Sequence, residues 1–285
     1  MIIETYEYAV RMKDSIVSAI DAERQEGLMR RAREMWVSYT PKEVKAQLAG
    51  IDSSWNVMAY HGFYLYAVDA VSVLADGTYA APPKYEVGLD SMFVTEGRDL
   101  VSNPSLLLES RGMRYEHDLS LESSRFHVLI DGSVLARFYD SRTRKMSTFL
   151  EYASDLMRMS NMTFVAKSST STAILHGAVG DMYYFTKADA SPGFSAPVHD
   201  QNGINVTYIR LADHTPVLRV EMPYQADENS VKGIMDMISS GAYGGYPYVL
   251  RVAHERCKIS NSDMGIIEGA LGLTGEPGSR EALGE

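Results

Sequence analysis

The stretch Phe126-His127-Val128-Leu129-Ile130-Asp131-Gly132-Ser133 constrains this chain more than any other. Its short apolar run lacks the alternation of a strand with one wet face, which is the pattern of a central strand buried on both sides. The run ends in an aspartate followed by small residues, and Gly50-Ile51-Asp52-Ser53-Ser54 repeats that pattern. An ionised carboxylate is expensive to bury unless it is paired or coordinates a metal. Either aspartate alone reads as a turn or helix cap just as well. Two such tips in one chain point to a metal site.

The rest of the chain places these strands in one elaborated α/β domain. Residues 4–38 lack proline, contain only Gly27, and carry Val10, Ile16, Ile20 and Met29 at helical spacing, which predicts one long helix or two joined ones. Aromatic and β-branched runs at 57–60, 63–73 and 85–94, broken by Asp76-Gly77 and Pro82-Pro83, predict a meander after a first strand. Helices follow over 104–124 and near 144–159, then a strand 163–166 ending at Lys167, a flexible polar stretch over 188–203, a hairpin of 206–211 with 217–222, and helices over 230–240 and 247–259. The expected organisation is a helical docking segment over 1–45, the main domain over 46–273, and a disordered tail over 274–285.

Bulk properties narrow the function. No apolar stretch is long enough to span a bilayer, and acidic residues stand where a signal peptide needs basic ones, so no membrane and a cytoplasmic location are expected. The single Cys257 rules out an internal disulfide and a cysteine-rich zinc site, and its simplest reading is packing. A net charge of −10 argues against broad nonspecific attraction to phosphates. A local basic groove is still open to it: Arg137, Arg142, Arg144 and Lys145 closely follow Asp131.

The order of elements, with Asp52 on the first strand, Glu116 on a helix, Asp131 on a later strand and His254 on a C-terminal helix, is that of ribonuclease H-like nucleases. Together with Val165-Ala166-Lys167-Ser168, Leu218-Arg219-Val220-Glu221-Met222-Pro223 and Gly245-Tyr246-Pro247-Tyr248 leading to Ala253-His254, it resembles the NurA nucleases. One departure is Ser53, where that family usually has glycine after its first aspartate. The resemblance implies an α/β, ribonuclease H-like mixed sheet flanked by helices, and a Mn²⁺-dependent nuclease, with Mg²⁺ possible, that processes DNA ends by 5′ to 3′ exonuclease and endonuclease action. It further implies a homodimer docked on a HerA-type hexameric ATPase.

Carried over by residue, Asp52, Asp131 and His254 are metal ligands, Glu116 is the helical carboxylate with Glu109 as its alternative, and Tyr246 is a catalytic-edge residue. Lys167, Arg142 and Arg144 would contact substrate phosphates. An actin-like or sugar-kinase-like phosphotransferase shares this core, but Ser53-Ser54-Trp55 replaces the glycine-rich phosphate turn it needs. A non-catalytic adaptor of a motor ring has no use for the ligand set.

Overall fold

A computed structural model describes residues 1–20, 26–96, 98–139, 147–156, 158–201 and 203–278. Helices α1 (Ile3–Arg11), α2 (Lys13–Val17) and α3 (Glu26–Glu34) precede strands β1 (Trp36–Ser38), β2 (Leu48–Ala59), β3 (Tyr64–Val73), β4 (Tyr79–Asp90), β5 (Phe93–Glu96) and β6 (Asp99–Ser102). Next come α4 (Pro104–Glu122), β7 (His127–Asp131), α5 (Val134–Tyr139), α6 (Ser147–Leu156), β8 (Met162–Ala166), α7 (Asp181–Ala188), β9 (Gly193–Ser195) and β10 (Val198–His199). The chain continues through β11 (Asn205–Arg210), β12 (Leu218–Met222), α8 (Glu228–Ser239), β13 (Ala242–Tyr243), β14 (Tyr246–Pro247), α9 (Tyr248–Cys257) and α10 (Asn261–Leu271).

One sheet of 10 strands runs in the order β1-β9-β11-β12-β8-β7-β2-β3-β4, with β10 beside β11. Its half β4-β3-β2-β7-β8 is the ribonuclease H-like core. There β2, β7 and β8 are mutually parallel, while β3 lies antiparallel between β2 and β4. The apolar runs of β7 and β8 are buried on both faces, as parallel strands covered by helices must be. On one face Ile51, Val128, Ile130 and Phe164 pack with Tyr115 and Leu119 of α4. On the other, Leu48, Leu129 and Val165 pack with Val249 and Leu250 of α9. Helix α4 starts where Asn103 accepts a hydrogen bond from the Leu106 N–H and Pro104 occupies the first turn, a combination suited to helix entry.

Several local expectations are revised. The long N-terminal helix is replaced by α1, α2, a short 3-10 turn and α3, with residues 21–25 outside the described set, and residues 36–38 are a strand. Trp36 and Val37 suit a pleated surface, and β9 supplies the pairing partner. Pro82 and Pro83 lie inside β4 rather than breaking it, which is possible because β4 is the sheet's edge and because its pairing with β3 shifts register between Ala81 and Lys84, leaving both prolines out of the ladder. The polar stretch 188–203 contains β9 and β10. Helix α10 was not legible as a helix, its pattern being diluted by Gly265 and Gly269. Beyond it the Pro277 carbonyl accepts a hydrogen bond from the His61 N–H.

Candidate metal centre

The register of β2 on β7 builds the centre. Gly50 lies opposite Leu129 and Ile51 opposite Ile130, so the next residues, Asp52 and Asp131, leave the two strands side by side on one face. At that point β7 ends and β2 runs on. Gly132 turns the chain with φ +105, a conformation that favours glycine. Helix α9 closes over the same face. It can do so because Gly50 has no side chain: a Cβ there would stand 2.5 Å from the carbonyl of Val249. This approach delivers His254, whose Nδ1 lies 2.9 Å from Oδ2 of Asp52.

Ligand atoms of Asp52, Asp131 and His254 all lie within 4.8 Å of one another. Lys167, one residue beyond β8, donates to Oδ2 of Asp131 at 2.9 Å, and its ammonium stands 4.6 Å from the Tyr246 ring centroid. Burial, then the charge of Asp131, pushes the Tyr246 hydroxyl well above the usual tyrosine range, so it stays protonated. The structure thus brings together Asp52, Asp131, His254, Lys167 and Tyr246. Arg142 and Arg144 lie outside the described residues.

Glu116 reaches the centre from the opposite face of the sheet. Ser53, pointing the other way from Asp52, donates to Oε1 of Glu116 at 2.6 Å, and Arg137 donates to Oε2 at 2.6 Å. Gly112 makes room for the serine, since a Cβ at that position would come 2.8 Å from its oxygen. Of the alternative helical carboxylates, Glu122 pairs with Lys84. Glu116 is the one joined through Ser53 to the strand that carries Asp52. Arg137, expected in a phosphate-facing cluster, is instead an internal counter-ion to Glu116.

Electrostatics mark the centre as short of positive charge. Burial, then the charges of Glu116 and Asp131, raises the Asp52 carboxyl to about 6, although His254 pulls it down. Asp69 sits on the same face as Asp52, two residues along β3 from its cross-strand partner Val71, and burial with the charge of Asp52 raises it to about 7. A divalent cation relieves such crowding, and two carboxylates with an imidazole are ligands it accepts.

Sequence reasoning missed Asp69, the one charged residue in the strand Tyr64–Val73, because a single acid in such a strand reads as its solvent side. It also left Glu221 outside the site. Glu221 is buried, paired with Arg219 at 2.6 Å, and accepts from Ser133 Oγ at 2.5 Å and the Leu135 N–H at 3.0 Å, so it fixes the turn that follows Asp131.

Fold and site together define a ribonuclease H-like α/β protein with a carboxylate–histidine cluster able to hold a divalent metal. The chain belongs to the NurA domain family, whose pattern it matches over residues 46–259. Among solved structures it is similar to the NurA nuclease from Sulfolobus solfataricus, with 22% identity, 95% of this chain and 97% of that one covered, and a TM-score of 0.74. It is also similar to a NurA bound to dAMP and manganese, with 11% identity, coverage of 94% and 97%, and a TM-score of 0.67. No curated protein matches significantly.

Proposed function

We propose that this chain is a divalent-metal-dependent deoxyribonuclease that favours Mn²⁺ over Mg²⁺. The observation carrying the reading is the convergence of Asp52, Asp131 and His254 where β7 ends beside β2. These three residues would hold the ion, which when bound supplies Lewis-acid stabilisation to the phosphoryl oxygens of a phosphodiester. The likeness to a NurA bound to dAMP and manganese supports both the metal and the substrate class.

The chain's own residues have separate tasks. With Nδ1 of His254 held by Asp52, its Nε2 is the basic nitrogen available to a ligand or a proton. Lys167 brings positive charge to the edge where a phosphate would sit, and the protonated Tyr246 hydroxyl is a hydrogen-bond donor beside it. Glu116, screened by Arg137, tunes the charge on Asp52 from behind. A kinase-like reading is disfavoured because Ser53-Ser54-Trp55 continues β2 instead of forming a phosphate-binding turn.

End-labelled DNA incubated with Mn²⁺, Mg²⁺ or excess chelator tests the proposal. Loss of even an outer partner of a metal ligand costs about 10–100-fold, so Asp52→Asn and Asp131→Asn should each lower cleavage by at least about 100-fold while the proteins stay folded. His254→Ala should impair metal-dependent cleavage as well. Wild-type rates in the folded aspartate variants, or full activity in chelator, would end the reading.

The finer activity follows the family resemblance: exonuclease action from 5′ to 3′ and endonuclease action on DNA ends, in the cytoplasm, by a homodimer seated on a HerA-type hexameric ATPase. Among the described residues no helix is long and apolar enough to cross a membrane. Such a motor would supply DNA affinity that a net charge of −10 withholds.

A further inference from the structure

Whether the centre takes one ion or two turns on where the Glu116 carboxylate is held. A second ion, about 3.5–4 Å from the first, needs a carboxylate beyond those that hold the first. Among the described residues Asp52, Asp131 and His254 are the one group of potential ligands with atoms within 4.8 Å of one another, and neither Glu116 nor Asp69 belongs to it. The Glu116 side chain is 1% exposed and both its oxygens are taken. Its Oε2 accepts from Arg137 at 2.6 Å, and its Oε1 accepts from Ser53 Oγ at 2.6 Å, with a longer contact to Arg137 at 3.4 Å.

Three elements build this hold. Ser53 directly follows Asp52 on β2, and the alternation of a strand sends the two side chains to opposite faces. Gly112 and Glu116, four residues apart on α4, share the helix face that meets β2, and the missing side chain of Gly112 leaves the space in which Ser53 sits. Arg137 reaches in from α5, with its Nη2 3.8 Å from where a Cβ on Gly132 would stand. Because β2 runs on past Asp52, the way from the α4 face to the Asp52 face lies round the end of β7. The guanidinium occupies that gap.

Charge agrees with this geometry. Glu116 and Arg137 form a neutral pair, and Asp131 already has the Lys167 ammonium at 2.9 Å. The two carboxylates of the ligand group are balanced by one divalent cation. A second would bring uncompensated positive charge into a largely buried site, which is expensive.

We propose that Ser53 is a positioning residue that, with Arg137, holds Glu116 away from the metal, so that the centre takes a single Mn²⁺. The inference rests on the nuclease reading of this centre and deepens it. Lys167 and Arg137 are then fixed cations on the two flanks where a second ion would otherwise find a carboxylate. Ser53 stands where the family usually has glycine, so the hold belongs to this chain's own sequence.

Calorimetric titration of the full chain with Mn²⁺, read together with the paramagnetic resonance of the bound ion, tests this. The wild type should bind one ion per chain and give the spectrum of isolated Mn²⁺. Ser53→Gly and Ser53→Ala each release Oε1 of Glu116 while Oε2 stays on Arg137, and each should admit a second, weaker ion, with the line broadening of a Mn²⁺ pair. Ser53→Thr keeps a hydroxyl and should stay at one. Adding Glu116→Gln to Ser53→Ala should return the count to one, which a mere loss of packing at Ser53 would not do. Two ions in the wild type, one ion in both Ser53→Gly and Ser53→Ala, or a second ion that persists after Glu116→Gln overturns the role of Ser53 and leaves the nuclease reading standing. No Mn²⁺ bound by the wild type overturns the metal centre and this inference together.

Discussion

Asp69 carries a charge that folding opposes. Its carboxyl sits at about 7, against 3.8 when free, because it is buried and faces Asp52, and its Oδ1 has no hydrogen-bond partner among the described residues. A carboxyl raised on folding favours the native state below its unfolded value and loses that advantage as pH climbs through the folded value. Stability of the metal-free protein should therefore fall between about pH 4 and pH 7, with Asp52, at about 6, adding in the same direction. Asp69→Asn should raise the Tm at pH 8 in chelator and leave it almost unchanged at pH 4. The gain at pH 8 is on the order of 1–2 kcal/mol after allowing for partial exposure. Equal Tm values at pH 8 would show that Asp69 is not strained. Asp52 and Asp131 were legible in the sequence because each ends an apolar run. Asp69 was not, since an acid in an antiparallel strand reads as its wet side until the sheet shows that this side faces the centre.

Among the elements, the contact of α9 with β2 decides whether the centre exists at all, and it turns on Gly50. A methyl group there meets the Val249 backbone, which has no flexible end to move aside. Gly50→Ala should destabilise the protein by about 1–3 kcal/mol, the usual cost of overpacking. Because the helix carrying His254 must shift, Mn²⁺ affinity should fall with the Tm. A variant with lowered Tm but unchanged Mn²⁺ binding would separate the helix position from the ligand set. The latch on the other side makes a matching case. Glu221→Gln keeps the volume but weakens the hold on Ser133, two residues after Asp131, and by letting that carboxylate drift should lower kcat by up to about 100-fold with all three ligands still present. Unaltered kcat would reduce Glu221 to a core ion pair. Helix and strand positions with clear apolar runs were readable before the fold was known, as β7 and β8 illustrate. The strand at 36–38 was not, because its partner lies more than 150 residues away and pairing over that distance leaves no local mark.

At the scale of the whole molecule, the N-terminal residues stand out for what they do not bury. Ile2, Ile3, Tyr6, Tyr8, Val10 and Ile16 are all more than half exposed, whereas α3, a few residues on, packs on α7 and buries Ala32. An amphipathic segment with no core of its own is stabilised when a second surface covers it, and contiguous exposed apolar area marks such surfaces. A symmetric dimer, with the two copies covering each other, meets that need without calling on any other chain. The boundary for testing it follows from the sheet: removing residues 1–45 would strip β1 from β9, but removing residues 1–20 leaves every strand in place. The shortened protein should keep its Tm within a few degrees and its Mn²⁺ affinity, yet scatter light as a monomer at concentrations where the full chain is a dimer. It should also fail to co-elute with a HerA-type ATPase that retains the full chain. A full chain that is monomeric would remove the dimer, whereas a shortened one that still dimerises would move the interface to another surface, of which the exposed row Tyr85, Val87 and Leu89 on the edge strand β4 is the next to probe.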